Sequence, residues 1–261
     1  MKLEKIRLEW THEERVGRIT LAAPKANIVD QAMVQELAAA FAQCEARDLN
    51  AIVLAADGPH FSFGASVQEH LPDQIGVVLP ELHSLLRRIH KAPAPVLAAV
   101  RGQCLGGGFE LVLACDLVMA DKTAQFGCPE IKLAVFAPAA SVLLPIRIGQ
   151  AAAAKLLLTG SSIAADEAAR FGLVARVVDD LEAGLNQWLE SDFLCRSPSS
   201  LRYACQAARF STARAFAEDL ARIEHLYLSG LMSTADAEEG IRAFLEKRTP
   251  QWSKPTLATR G

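Results

Sequence analysis

Two carboxylic acids and a run of glycines are the residues of this chain best suited to chemistry. In Gly102-Gln103-Cys104-Leu105-Gly106-Gly107-Gly108-Phe109-Glu110-Leu111 a glycine triplet leads into a helix, with Glu110 expected in its first turn. Glycines lack the Cβ that keeps a ligand off the chain, and first-turn N–H groups have no intrahelical acceptor. Such a corner suits an oxygen that turns negative during reaction. A phosphate suits it too, and close packing or a tight turn also explains a triplet of this kind. Neither nucleotide fingerprint fits, because G-x-x-x-x-G-K-[ST] is absent and the triplet lacks G-x-G-x-x-G spacing. Glu130, in Ala124-Gln125-Phe126-Gly127-Cys128-Pro129-Glu130-Ile131, is an acid flanked by apolar residues. Taken singly it suits a solvated or salt-bridged loop. Two glutamates near one glycine-lined helix start can divide the general-acid and general-base roles if burial and mutual repulsion separate their proton affinities.

The elements that must hold these residues follow from the pattern around them. Residues 95–100 form a short apolar run bounded by proline and glycine, which predicts a buried strand feeding the glycines. Phe109 to Cys115 is too uniformly apolar for a surface helix and predicts a central, buried one. A strand over 117–120 and a polar turn at Asp121-Lys122-Thr123 lead towards Glu130. Upstream, strands over 18–21 and 51–55 alternate with a helix over 31–47, an α/β rhythm with parallel crossovers that continues to about Val178. His83 and His90 fall on an amphipathic helix over 80–91 and are expected to be ordinary helix residues. His70, on a polar stretch near Pro72, is expected at the surface. Beyond Ser197-Pro198-Ser199-Ser200 the pattern predicts helices over 201–208, 213–228 and 235–247, so the chain divides into a core, 1–196, and a helical C-terminal region, 197–261.

Composition narrows the function classes. With 51% hydrophobic and 22% charged residues the chain is expected to fold as a soluble protein, and a net charge of -3 leaves no footprint for nucleic acid or an acidic membrane. The six cysteines form no C-x-x-C pair and no zinc-ligand spacing, which predicts reduced packing residues, no metal and a cytoplasmic setting. The N terminus lacks the apolar core of a signal peptide, and no long apolar run suggests a membrane span.

Gly106-Gly107-Gly108-Phe109-Glu110-Leu111, Cys115-Asp116 and the segment ending in Pro129-Glu130 together resemble the signature of the crotonase, or enoyl-CoA hydratase/isomerase, superfamily. The likeness extends to Ala23-Pro24-Lys25-Ala26-Asn27, to Phe61-Ser62-Phe63-Gly64-Ala65-Ser66, to 158–174 and to the tail 238–248, nearly the whole chain. It implies a spiral of ββα units with a C-terminal helical region that builds a homotrimer or a pair of trimers. It also implies an oxyanion hole from the N–H groups of Ala65 and Gly107, with Glu130 exchanging a proton with substrate carbon and Glu110 holding and activating water. Lys25, Ala26, Phe63, Gly64, Ser66, Gly106 and Lys247 are the positions it implies for the acyl-CoA, and no cofactor is implied beyond the coenzyme A of the substrate.

Two departures from the family pattern bear on the substrate. Ala137-Pro138-Ala139-Ala140-Ser141 stands where family hydratases carry a glycine-rich segment, which predicts a stiffer loop of different shape, and Ser66 stands where an aspartate is usual. Within the family, the run from Phe61 to Pro72 looks most like hydratases of cyclic dienoyl-CoA esters, implying cyclohexa-1,5-diene-1-carbonyl-CoA as substrate and 6-hydroxycyclohex-1-ene-1-carbonyl-CoA as product. A straight-chain enoyl-CoA hydratase, an isomerase or hydrolase of the same fold, and a non-catalytic CoA- or RNA-binding member are the alternatives.

Overall fold

In the computed structural model, which describes residues 3–24 and 26–253, strands and helices alternate. Strands β1 (Ile6–Thr11), β2 (Val16–Leu21) and β3 (Ala51–Ala56) surround helix α1 (Gln31–Glu45), and α2 (Ile75–His90) follows. Next come β4 (Val96–Val100), β5 (Gln103–Leu105), α3 (Gly106–Ala114), β6 (Leu117–Asp121) and β7 (Gln125–Gly127). Helices α4 (Pro138–Ile148) and α5 (Gln150–Thr159) precede β8 (Ser162–Ala164), α6 (Ala165–Arg170), β9 (Arg176–Val178) and α7 (Leu181–Trp188). Helices α8 (Pro198–His225) and α9 (Ala235–Leu245) end the described chain.

Among the described residues the strands form two sheets. One has the order β1-β2-β3-β4-β6-β9, parallel except for the β1–β2 hairpin, and the other has the order β5-β7-β8. Consecutive strands go to different sheets: β4 joins the large one and β5 the small one before α3 follows, and β6 and β7 repeat the move. This is the α/β spiral of ββα units that the resemblance implies. The centre of the large sheet is covered on both faces, so β3 and β4 are continuously apolar. Ile52 and Leu54 pack with α1 and α2, whereas Ala51, Val53 and Ala55 pack with Leu185 and Trp188 of α7.

The C-terminal region differs in detail from the expectation. Instead of breaking near 209–212, α8 runs unbroken from Pro198 to His225. Its middle is pinned to the core by Arg209, whose Nε donates to Asp116 Oδ1 at 2.7 Å, and its end by Glu224, whose Oε2 meets His83 Nδ1 at 2.6 Å. These bonds, invisible in the local sequence, hold a helix whose own apolar stripe is weak. His83 and His90, expected to be ordinary helix residues, are buried under α8, the latter against the Phe216 ring at 5.1 Å. All six cysteines are free thiols, and only Cys195 is exposed. Among the described residues no helix is long and apolar enough to cross a membrane.

Candidate active site

The spiral brings neighbouring turns into register at one corner. Ser62 bridges Cys104 of β5, and Ala65 bridges Val29, so the loop carrying Phe63, Gly64 and Ala65 runs beside the start of α3. The Ala26 carbonyl accepts from Phe63 N–H at 3.0 Å, which ties the early loop to the same corner. Gly64 N–H donates to Ser62 Oγ and Ser66 N–H to the Val29 carbonyl, leaving the intervening Ala65 N–H to face Gly107. A Cβ built on Gly107 would lie 3.2 Å from that nitrogen and 3.1 Å from the Ala65 methyl, so these two backbones approach as closely as glycine allows. Gly107 is the second residue of α3, where an N–H has no intrahelical acceptor. The Ala65 and Gly107 main chains therefore lie side by side at the start of α3.

The carboxylates flank it. The glycine triplet does not lead into the helix but forms its first turn, which moves Glu110 one turn inward from its expected place; every residue of α3 is buried, and Glu110 is only 3% exposed. Glu130 sits in a 3-10 turn, Pro129–Leu133, entered from β7 and closed by Ala134 in the left-handed region at φ 56°. Gly106, itself at φ 50°, lets that carboxylate lie against the helix start, since a Cβ there would stand 2.5 Å from Glu130 Oε1. The segment 137–141, expected as a stiffened loop, is instead the first turn of α4, with Pro138 at the position where a missing N–H costs no hydrogen bond. Ala140 N–H donates to Glu110 Oε1 at 3.0 Å.

Burial governs the proton affinities. It pushes the Glu110 carboxyl up to about 7, against the opposing pull of the Ala140 and Ala139 N–H groups. Glu130 is pushed up to about 8 by burial and then by the neighbouring Glu110 charge. Its Oε2 is buried with no hydrogen-bond partner among the described residues. Two acids this close titrate as a pair, so at neutral pH the singly protonated form is well populated. One group can then give a proton while the other takes one.

A cavity of about 420 Å³ opens onto Glu130. Phe63, Gly64, Ala65 and Gly106 form one side, and Lys132, Leu133 and Val135 another, while Ile241 and Phe244 of α9 close it. His70, expected at the surface, is half-buried in its wall. Its Nδ1 donates to the Ser66 carbonyl at 2.8 Å, and burial lowers its proton affinity, so it is neutral with Nε2 as an acceptor. Ser66 thus lies behind the wall, and Lys247 lies exposed in the turn after α9, outside the lining. Lys25 falls outside the described residues. His70, Lys132, Ile241 and Phe244 were not foreseen; no local pattern distinguishes them from surface or packing residues. Among the described residues no group of three His, Cys, Asp or Glu side chains is arranged to hold a metal ion.

Comparison with known proteins agrees with this geometry. The enoyl-CoA hydratase/isomerase family model matches residues 11–255. The chain is 49% identical over 236 residues, 90% of its length and 92% of the relative's, to cyclohexa-1,5-dienecarbonyl-CoA hydratase of Thauera aromatica. It is 35% identical to 2,3-dehydroadipyl-CoA hydratase of Escherichia coli K12, covering 93% of this chain and 96% of that one. A crystal structure of an enoyl-CoA hydratase from Mycobacterium avium subsp. paratuberculosis superposes with a TM-score of 0.85 at 25% identity, covering 97% of this chain and all of that one.

Proposed function

This chain belongs to the enoyl-CoA hydratase/isomerase family, and on that premise we propose that it adds water to a conjugated acyl-CoA thioester, with cyclohexa-1,5-diene-1-carbonyl-CoA as substrate and 6-hydroxycyclohex-1-ene-1-carbonyl-CoA as product. The observation that carries the reading is the pair of buried carboxyls, Glu110 and Glu130, held against the Ala65–Gly107 corner with Glu130 in the wall of an apolar cavity.

The thioester oxygen accepts from the Ala65 and Gly107 N–H groups, which stabilise the charge driven onto it; one such donor is worth on the order of 3–4 kcal/mol in other enzymes. Glu110, ionised, takes a proton from water as its oxygen bonds to the ring carbon β to the carbonyl. Glu130, protonated, returns a proton to carbon at the far end of the dienolate. Water is thereby added in full, and proton exchange within the pair restores both groups. The cyclic substrate is supported by the 49% identity to a cyclic dienoyl-CoA hydratase and by the α4 turn that stands where the glycine-rich segment is usual. Such a substrate fits anaerobic degradation of aromatic acids in the cytoplasm.

Lys132 at the cavity, with Lys25 and Lys247, supplies cations for the phosphates of CoA, which is part of the substrate; no separate cofactor enters the reaction. Exposed Tyr203, Phe210 and Leu226 of the C-terminal region supply apolar surface for a homotrimer or a pair of trimers. The test is a side-by-side assay of crotonyl-CoA and cyclohexa-1,5-diene-1-carbonyl-CoA, with hydrated product followed by mass spectrometry and Glu130→Gln as control. The cyclic diene is expected to turn over faster. The reverse preference would make this a straight-chain hydratase.

A further inference from the structure

Tyr227 is the buried polar side chain near the site that the mechanism leaves without a task. It sits on the π-helical turn Leu226–Gly230 that ends α8, a local geometry that recurs at functional sites. The residue is 1% exposed, and its hydroxyl has no hydrogen-bond partner among the described residues, the same condition as Glu130 Oε2. Its ring packs edge-on to Phe136 at 5.2 Å, immediately before the α4 turn that holds Glu110, and it shares an apolar cluster with Val135 and Ile241 of the cavity wall. Burial and then the charges of Glu130 and Glu110 hold the phenol protonated, and the apolar cluster it shares with Val135 and Ile241 places it behind the wall of the cavity that Glu130 lines. A buried hydroxyl with no partner costs stability, and a phenylalanine would fill the same space without that cost.

We propose that the Tyr227 hydroxyl is a third hydrogen-bonding partner, beside Glu110 and Glu130, of the oxygen that is added to the substrate. The phenol can donate to that oxygen or accept from it, and so fixes the orientation of a water that two carboxyl groups alone leave free to rotate. This rests on the hydratase reading of the same site. The other titratable groups near the pair among the described residues are the buried Cys128, two residues before Glu130, and His70 and Lys132 in the cavity wall.

The test is Tyr227→Phe, measured on whichever CoA ester the wild type hydrates. Loss of the hydroxyl is expected to lower kcat by about tenfold or more, with KM changed less than about twofold, Tm unchanged or raised, and the pH–rate profile displaced. A kcat within about twofold of wild type, or a Tm that falls together with kcat, would overturn the proposal in favour of a packing role. A second readout does not need turnover. The chain has two tyrosines, and the other, Tyr203, is exposed, so fluorotyrosine labelling gives two fluorine resonances that Tyr203→Phe assigns. The Tyr227 signal should move as the pair titrates between pH 7 and 8 and stop moving in the double variant Glu110→Gln/Glu130→Gln. A signal that stays flat in the wild type sinks the proposal. Failure of the wild type to hydrate any ester sinks only the reading of the function, and the fluorine titration then decides for or against Tyr227.

Discussion

At the C-terminal end of α3, Asp116 is saturated: its Oδ1 accepts from Arg209 Nε at 2.7 Å, its Oδ2 accepts from Val96 N–H at 2.7 Å, and the Arg209 guanidinium closes a salt bridge on the same group. At the N-terminal end of the same helix the carboxylates are treated in the opposite way. Glu110 receives main-chain N–H groups but no cation, and Glu130 keeps one buried oxygen with no partner among the described residues. A carboxylate that holds elements together is surrounded by donors. One that exchanges protons must be left short of donors, so that burial raises its proton affinity to the working pH. On the proposed function, the two ends of one helix thus separate a structural charge from a chemical one.

Breaking the chemical end should have the largest effect on turnover. Glu110→Gln and Glu130→Gln are each expected to lower kcat roughly 10²–10⁴-fold while CoA-ester binding, followed by calorimetry, is largely retained, since the N–H donors remain. Gly107→Val should abolish activity outright, because its Cβ alone would press on the Ala65 nitrogen at 3.2 Å. Near-wild-type rates in any of these would remove that residue from the site.

Breaking the structural end should do the reverse. Arg209→Met leaves the half-buried Asp116 without its cation and the Ala92 and Ala94 carbonyls without their donor, and should cost about 1–3 kcal/mol in urea unfolding, while kcat per folded molecule changes little. A comparable loss of kcat without loss of stability would show that the two ends are coupled through α3.

The pH dependence sharpens the contrast. With the pair near 7 and 8, the singly protonated form peaks between those values, and kcat/KM should be bell-shaped with its maximum there. Both folded-state values lie above the ordinary 4.5 of a glutamate, so the folded protein holds protons that the unfolded chain has released. Stability from this source is therefore present below about pH 4.5 and is lost as pH rises through the folded values. Glu130→Gln should accordingly raise Tm at pH 9 and have little effect at pH 4, a comparison that thermal scans at the two pH values provide. The smallest effect expected is from Lys132→Ala, at the cavity: KM for the CoA ester should rise a few-fold, in line with about 1 kcal/mol for an exposed charge contact, with kcat unchanged.

Much of this site was legible because its parts are local. The glycine run, the buried helix after it and the strand before it are signalled by composition over a few residues, and α3 and β4 appear where those patterns put them. Glu110 and Glu130 stand out as acids among apolar neighbours, and the family resemblance ties them to the loop around Ala65. His70 lines the cavity although a histidine near a proline on a polar stretch carries no mark of it; its tautomer is set locally, by the Ser66 carbonyl four residues earlier. Proline and alanine at glycine positions announce restriction but not helix entry, so the Ala137–Ser141 stretch reads as a stiff loop while it forms the start of α4. Only packing against α3 turns its N–H groups onto Glu110.

Sequence alone determined the spiral's rhythm, the buried character of α3 and the identity of the two acids, because strand and helix periodicity and the chemistry of a side chain are properties of neighbouring residues. Tertiary structure alone decided that Ile241 and Phe244, more than a hundred residues beyond Glu130, line the same cavity, and that α8 stays unbroken across the core. It also decided which carboxylates are matched by donors and which are not. Desolvation and hydrogen bonding depend on what the whole fold brings within a few ångströms of a group, and no stretch of sequence contains that information.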